Sequence, residues 1–364
     1  MSIVSLPVIS PSFEDKYVAA PRNSIEQHIT TGSNARSPTL QPIKMSPIAT
    51  ADLGKASYPS STNSASPDPN TQITIMAEMY QTNGDGAAQQ QPANYLSTEP
   101  PSDHHWRITL ESKVIAITGA NRGIGLGVAE VCLANSAAHV YSLDLFEPTP
   151  DDLESAAVSK KYPGRFHYIS CDVTSPPCIE SAIETIISEQ GRLDGMVANA
   201  GMTKHQPALD FDQAQLDQLF NLNVFGAYHC ATSAARAFMR LGCKGSIVFT
   251  SSMTSYRPNR AAPSAPYSAT KAAVRNLTHT FAMEWAKHGI RVNCISPGFV
   301  RTQMTMYYVE RDPEEWNRKM QYYGGMPRLA EPRELGGAYV YLLSDGSSYT
   351  TGIDIPIAGI VGAW

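Results

Sequence analysis

The sequence has no apolar run of about 18 residues, the usual minimum for a helix that crosses a bilayer. Basic residues are not in excess either: the sequence has 28 Lys and Arg against 33 Asp and Glu, and its formal charge is -5. Such a chain does not attract a phosphate backbone, so we expect neither nucleic acid nor a membrane as a partner. Six cysteines are present, and no pair has the spacing of a zinc motif or a disulfide framework. We therefore expect a cytoplasmic protein.

Residues 1–110 lack sustained apolar periodicity and hold 12 of the 26 prolines. The same segment is rich in Ser, Thr, Asn and Gln. A segment of this composition buries too little apolar surface to offset the entropy that it loses on ordering. We predict that residues 1–110 form a disordered tail and that residues 111–364 fold as a single domain.

Short β-branched runs alternate with helical patterns from residue 111 onwards. The runs are apolar without alternation, which is typical of strands buried on both faces of a parallel sheet. Helical periodicity is clear over 177–190, and longer helices are predicted over 211–241 and 265–288. The pattern predicts an α/β fold, a doubly wound parallel sheet with helices on both faces. Its seven predicted strands are residues 113–119, 139–144, 166–171, 195–200, 246–251, 291–296 and 353–357.

A glycine-rich segment, TGANRGIG, follows the first predicted strand and opens a helix. Gly119 permits a sharp turn out of the strand, while Gly123 and Gly125 let the backbone approach a pyrophosphate at the helix N-terminus. Arg122 and Ile124 belong to the same loop. A strand before the loop and a helix after it are the context that a dinucleotide-binding loop requires.

Asp144 ends the second predicted strand, 25 residues after Gly119. A carboxylate at this place accepts hydrogen bonds from the ribose hydroxyls of NAD(H) and repels the 2′-phosphate of NADP(H). The next residue, Leu145, adds no basic group, whereas Arg122 in the loop is able to reach a 2′-phosphate. The balance favours NAD(H) and leaves NADP(H) possible.

The further motifs, together with this loop, resemble the short-chain dehydrogenase/reductase family over residues 113–364. They are, in order, TGANRGIG, CDV, NAG, NLNVFG, SS, YSATK and SPGFVRT. EWAKHGIRVN, MPRLAEP, YTTG and the terminal Trp364 resemble fungal polyol dehydrogenases and ketose reductases, although IAGIVGAW replaces the usual DGGY. The resemblance implies a Rossmann-type fold, a homo-oligomer (dimer or tetramer), and hydride transfer between a nicotinamide and a secondary alcohol or ketone.

Four candidate catalytic residues come from these motifs. Tyr267 and Lys271 are four apart on a predicted helix, so we expect the ammonium to lower the pKa of the phenol. Tyr267 then acts as an acid in carbonyl reduction and as a base in alcohol oxidation. Ser252, at the end of the fifth strand, can hydrogen-bond the substrate oxygen, and the longer loop of the polyol branch favours it over Ser251. By resemblance Asn223 positions a water that passes protons toward Lys271.

The resemblance also assigns cofactor contacts. Asp172 accepts a hydrogen bond from the adenine amino group, and Asn199 steadies the central strands. The segment after the sixth strand carries the carboxamide of the nicotinamide, through the Val300 backbone and the Thr302 hydroxyl. The full implied set is Gly119, Arg122, Gly123, Ile124, Gly125, Asp144, Asp172, Val173, Asn199, Ala200, Gly201, Tyr267, Lys271, Pro297, Val300 and Thr302.

The substrate is less constrained by the sequence. Residues 303–326 are interpreted as a long loop, and long loops of this kind are typically lids. A polyol or ketose is the first choice. The aromatic and methionine content of the loop keeps a larger ketone, such as a polyketide or terpenoid intermediate, as the alternative. A dinucleotide-sensing regulator is a third interpretation, which the presence of the Ser, Tyr and Lys disfavours. The histidines form no ligand cluster, so no metal is expected.

Deletion of residues 1–100 is expected to leave turnover and thermal stability nearly unchanged, because a disordered tail contributes little buried area. The measurement compares the kcat/KM and the Tm of the truncated and full-length proteins. A large loss of either quantity would show that this segment packs on the domain or completes the site.

Overall fold

A computed structural model describes residues 107–149, 152–260, 262–323 and 325–359. The predicted tail lies outside these ranges except for its last four residues, and so does Trp364. The predicted seven-stranded sheet is confirmed: all seven strands are parallel, in the order β3-β2-β1-β4-β5-β6-β7. The strands are β1 Val114–Thr118, β2 His139–Asp144, β3 Phe166–Ser170, β4 Gly195–Ala198, β5 Ser246–Thr250, β6 Arg291–Pro297 and β7 Asp354–Ile357.

Helices connect the strands and cover both faces of the sheet. Along β1, Val114 and Ala116 pack into one apolar core, while Ile115 and Ile117 pack into the other. This double burial explains why the strand is apolar without alternation. The helices are α1 Gly123–Ala134, α2 Leu153–Lys161, α3 Pro176–Gln190, α4 Gln213–Phe220, α5 Ala227–Leu241, α6 Ala265–Trp285, α7 Gln303–Arg311, α8 Pro313–Tyr323 and α9 Pro332–Leu343.

The helix predicted over 211–241 contains a π-helical segment, Asn221–Gly226, between α4 and α5. Asp212 begins α4 with a reciprocal cap, because its carboxylate accepts from the Gln215 N–H at 2.8 Å. π-helical segments inside helices occur frequently at functional sites. Here the segment is the NLNVFG motif, which carries the candidate Asn223.

The interpretation of 303–326 as a loop is wrong, because α7 and α8 occupy most of the segment. The Asp312 carboxylate accepts from the Glu315 N–H at 2.8 Å, and Pro313 is the first residue of α8. Proline at the first position of a helix and an acidic first turn are both stabilising. Among the described residues, no helix is long and apolar enough to cross a membrane.

A histidine pair joins β2 to β3. Nδ1 of His139 lies 2.9 Å from Nε2 of His167, and the His167 ring stacks on Tyr141 with a centroid distance of 4.5 Å. Burial, and secondarily the charge of His139, lower the pKa of His167 below its ordinary 6.5. The folded state therefore resists protonation of His167 more than the unfolded chain does.

The free energy of unfolding is expected to fall as the pH drops below about 6.5, because the unfolded chain then binds a proton that folded His167 resists. In His167→Gln this pH dependence should be shallower, as measured by urea unfolding between pH 5 and pH 8. The matched control is His288→Gln, at an exposed position. An unchanged slope in His167→Gln would contradict the assignment.

Candidate active site

The carboxyl ends of β1 and β4 are tied together by the Thr118 hydroxyl and the Asn199 side chain. Thr118 Oγ1 accepts from the N–H of Asn199 at 3.0 Å and from the N–H of Ala200 at 2.9 Å. Asn199 Nδ2 donates to the carbonyls of Thr118 and Gly119, at 3.0 and 3.2 Å. The chain order reverses between β1 and β4, so this is the switch point where ligands bind in open α/β sheets.

The glycine loop leaves little space between the end of β1 and the start of α1. Gly119 and Gly123 have φ of 67° and 57°, in the left-handed region that favours glycine. A Cβ at Gly125 would lie 2.2 Å from the Gly119 carbonyl oxygen, so only glycine lets α1 start this close to β1. Arg122 holds the N-cap position, and its side chain has no acceptor with which to cap the first N–H groups. Those groups and the helix dipole suit a pyrophosphate, so the loop fits a dinucleotide.

Asp144 lies beside this loop at the end of β2. Its Oδ2 accepts from the Asn121 N–H at 3.2 Å, and the Asn121 Oδ1 accepts from the Ser142 hydroxyl at 2.7 Å. Asn121 is a residue that the sequence analysis missed, and its only signal was its place inside the glycine loop. The neighbouring Leu145 is 47% exposed and places no charge beside Asp144.

The CDV motif follows β3. Oδ1 of Asp172 accepts from the N–H of Thr174 at 2.9 Å and from its hydroxyl at 2.7 Å, which shapes the turn into α3. Val173 is buried, and its side chain would meet a Cβ at Gly226 at 2.9 Å. The motif therefore packs against the π-helical segment, near the same end of the sheet.

Lys271 is buried, and its ammonium donates to the Thr250 carbonyl at 2.9 Å. Burial lowers the pKa of Lys271 to about 8. Its Nζ lies 5.8 Å from the centroid of the Tyr267 ring. The expectation that Lys271 lowers the pKa of the phenol is not met. Burial raises the pKa of Tyr267, and the Ser252 side chain has the smaller, opposing effect of lowering it.

The two adjacent serines point in different directions. The Ser251 hydroxyl donates to the Lys271 carbonyl at 2.8 Å and thereby joins β5 to α6. The Ser252 oxygen accepts from the Thr254 N–H at 3.2 Å, and the Ser252 side chain lies close enough to Tyr267 to lower the pKa of the phenol. This geometry favours Ser252 as the serine that faces the tyrosine hydroxyl.

Asn223 is buried in the π-helical segment. Its Oδ1 accepts from the Met202 N–H at 2.9 Å, and its Nδ2 donates to the Met202 carbonyl at 2.9 Å and to Thr270 Oγ1 at 3.1 Å. A Cβ at Gly201 would lie 3.1 Å from Asn223 Oδ1 and 3.3 Å from Lys271 Nζ. The chain therefore passes between the two candidate catalytic side chains, and a side chain at Gly201 would require them to shift by a few tenths of an ångström.

The segment after β6 packs against the glycine loop. Pro297 is the last residue of β6, and Val300 is buried and bridges to Ala330. Thr302 is the N-cap of α7, and a Cβ at Gly123 would lie 3.5 Å from its methyl group. The structure therefore brings the SPGFVRT segment against the glycine loop.

Arg122 and Ile124 lie at the border of the loop. Arg122 is exposed, and its Nη1 donates to Gln303 Oε1 at 3.2 Å, which joins the glycine loop to α7. Ile124 is half-buried and packs against the core that α1 shares with α9. The predicted cofactor residues of the loops thus lie at the carboxyl ends of β1, β2, β3, β4 and β6.

His205 is a second residue that the sequence analysis missed. Its Nδ1 lies 2.9 Å from the Ala262 carbonyl and its Nε2 lies 3.2 Å from the Thr203 hydroxyl. Its ring meets that of Tyr308 edge to face, with a centroid distance of 4.7 Å. Burial lowers the pKa of His205. The only sequence signal was its position four residues after Gly201, in the loop that follows β4.

Comparisons with known proteins agree with this architecture. A family described as enoyl-(acyl carrier protein) reductase matches residues 119–359. A probable NADP-dependent mannitol dehydrogenase of Yarrowia lipolytica is 36% identical over 70% of this chain and 88% of its own length. A sorbose reductase of Schizosaccharomyces pombe is 37% identical over 69% of this chain and 96% of its own.

The fold has solved counterparts as well. A crystal structure of a short-chain type dehydrogenase/reductase from Mycobacterium marinum is 34% identical, with a TM-score of 0.62. The similarity covers 69% of this chain and 96% of that one. The expectation of an NAD(P)-dependent oxidoreductase is confirmed at the level of the family. The sheet, the matched residues and these relatives show that the chain belongs to the short-chain dehydrogenase/reductase family.

Proposed function

We propose that this chain interconverts a polyol and the corresponding ketose, with Ser252, Tyr267 and Lys271 in the site. The observation that carries the proposal is that the buried Lys271 ammonium lies 5.8 Å from the centroid of the Tyr267 ring, with Ser252 close enough to lower the pKa of that phenol, at the same end of the sheet as the glycine loop. Two relatives named for mannitol and sorbose support this choice of substrate class.

The proposed chemistry divides between cofactor and protein. A nicotinamide dinucleotide, when bound, supplies or accepts the hydride. The Tyr267 hydroxyl gives a proton to the carbonyl oxygen in reduction and takes it back in oxidation. The Ser252 hydroxyl donates a hydrogen bond to the same oxygen and stabilises the charge that develops there.

Lys271 supplies a positive charge that burial makes responsive to pH. Its pKa of about 8 places its titration close to neutral pH, so its ammonium can release and regain a proton during turnover. Asn223 acts through position, because its amide fixes the Met202 backbone and Thr270, one residue before Lys271 in α6. The water-positioning role implied by the resemblance remains part of the proposal.

The preferred cofactor in this proposal is NAD(H). Asp144 supports it, because the Asn121 N–H holds the carboxylate beside the glycine loop, where it would face the adenosine ribose. Arg122 supports the opposite choice less strongly, since its guanidinium donates to Gln303 on α7. The Yarrowia relative is named as NADP-dependent, so the preference is a proposal about this chain alone.

The structure gives little support to a larger ketone, the alternative substrate that the aromatic content of 303–326 suggested. Trp316 is buried and meets Phe299 with a ring-centroid distance of 5.0 Å, and Phe299 also contacts Tyr323 at 5.9 Å. These aromatic rings therefore pack α8 onto the segment after β6, which accounts for Trp316 and Tyr323 without a bulky substrate.

Tyr267→Phe is expected to lower kcat about 10²–10⁴-fold while the dissociation constant for the dinucleotide changes little, because only the hydroxyl that transfers a proton is lost. Steady-state kinetics and fluorescence titration of the nucleotide give the two quantities. Tyr349→Phe, at a fully exposed position, is the matched control. Near-normal turnover in folded Tyr267→Phe would rule out the proposed acid.

Asp144→Ser combined with Leu145→Arg is expected to shift the preference toward NADP(H). The first change removes a carboxylate that repels a 2′-phosphate yet keeps an acceptor for the Asn121 N–H, and the second adds a guanidinium. The measurement is kcat/KM with both nucleotides. Leu153→Arg, at an exposed position in α2, controls for added charge. If the parent protein already prefers NADP(H), Asp144 does not play the proposed part.

A further inference from the structure

Two adjoining pockets lie along α8. Their volumes are about 350 and 290 Å³, and both are lined by Glu315 and Lys319. The second is also lined by Tyr308, which contacts His205 in the loop after β4. We name the first pocket the lid groove, and its lining residues are Arg260, Glu315, Arg318, Lys319, Tyr322 and Tyr323.

The lid groove has an excess of positive charge. Three cationic side chains face one carboxylate, that of Glu315, which pairs with Lys319 at 2.8 Å. Arg318 lies 4.0 Å from Glu314, at the limit of an ion pair. Among the described residues no carboxylate forms an ion pair with Arg260. An anion would therefore meet two guanidinium groups that close ion pairs do not neutralise.

The tyrosines hold Arg260 in place. Its Nη1 donates to the Tyr322 hydroxyl at 2.5 Å, and its guanidinium lies 5.6 Å from the centroid of that ring. Its backbone N–H donates to the Tyr323 hydroxyl at 2.6 Å. Because the Tyr322 oxygen accepts from Arg260, its own O–H can donate to a ligand. A positioned guanidinium and phenol are a suitable donor pair for a carboxylate or phosphate.

The walls of the lid groove contact or belong to segments that also reach the candidate site. The Tyr323 ring contacts Phe299, the residue before Val300 in the segment that packs against the glycine loop. Arg260 precedes Tyr267 by seven residues, in the segment that links β5 to α6. The lid groove thus takes one wall from the segment between Ser252 and Tyr267, and Arg260 gives that wall a positive charge.

We propose that the lid groove binds an anionic group at the far end of the substrate, so that the preferred ketose is a sugar acid or a sugar phosphate. This inference rests on the proposed function, since it names the substrate class of the same site. A neutral polyol would leave Arg260 and Arg318 without the ligand that their charges favour. The shared chemistry of the two anions is a planar or tetrahedral oxyanion that accepts several hydrogen bonds from a guanidinium.

The test compares three substrates with the same carbon number: a neutral ketose, the corresponding keto acid and the corresponding ketose phosphate. With the parent protein, one of the anionic substrates should have a kcat/KM at least about tenfold above that of the neutral ketose, as expected for charge-assisted hydrogen bonds. Comparison of the keto acid with the ketose phosphate shows whether the groove prefers a carboxylate or a phosphate. An equal or higher kcat/KM for the neutral ketose would overturn the inference.

The variant that tests the groove is Arg260→Gln combined with Arg318→Gln. It should lower kcat/KM for the anionic substrate about fivefold or more, mainly through KM, and change that for the neutral ketose less than about twofold. Arg236→Gln, at an exposed position of α5, removes a charge far from the lid groove and should leave kcat/KM for both substrates unchanged. The inference is wrong if the ratio of kcat/KM for the anionic substrate to kcat/KM for the neutral ketose is the same in the double variant as in the parent.

A direct binding measurement separates this inference from the proposed function. Titration of gluconate and of inorganic phosphate into the full-length protein by calorimetry requires no turnover. If no ketose is reduced with either nucleotide, the proposed function fails. The groove assignment then stands if an anion binds to the parent and not to the double variant, and it falls if neither anion binds the parent.

Discussion

The hydroxyl of Thr118 is the point on which the site depends. It accepts the N–H groups of Asn199 and Ala200, while the Asn199 amide returns hydrogen bonds to the carbonyls of Thr118 and Gly119. These bonds fix the ends of β1 and β4 where the two strands send their chains to opposite faces of the sheet. Both the glycine loop and the loop that passes Lys271 begin from this junction.

A second constraint is the burial of Lys271. An ammonium away from water is costly unless it is hydrogen-bonded, and here the Thr250 carbonyl accepts from it. The remaining cost appears as a pKa near 8, which brings a lysine into the range useful for proton transfer. Gly201 lies between Lys271 and Asn223, where even a Cβ would make tight contacts of 3.3 and 3.1 Å with their side chains.

The sequence predicted the sheet well and the surroundings of the site less well. Strands buried on both faces produce apolar runs that single-sequence analysis recognises, as β1 illustrates. The segment 303–326 was interpreted as a long loop, although Asp312-Pro313-Glu314-Glu315 carries a helix start. The expectation that Lys271 lowers the pKa of Tyr267 was also wrong. Helical spacing alone does not reveal that the Lys271 ammonium donates to the Thr250 carbonyl. His205 was missed because its partners come from distant segments.

Direct transfer of hydride at this site is the central claim of the account, and isotope labelling tests it most directly. The protein is incubated with a ketose and a reduced dinucleotide that carries deuterium on both C4 positions of the nicotinamide. The account predicts a polyol heavier by one mass unit, with the deuterium on the carbon that was the carbonyl. A product formed without deuterium at that carbon, or with hydrogen from the solvent there, would contradict it.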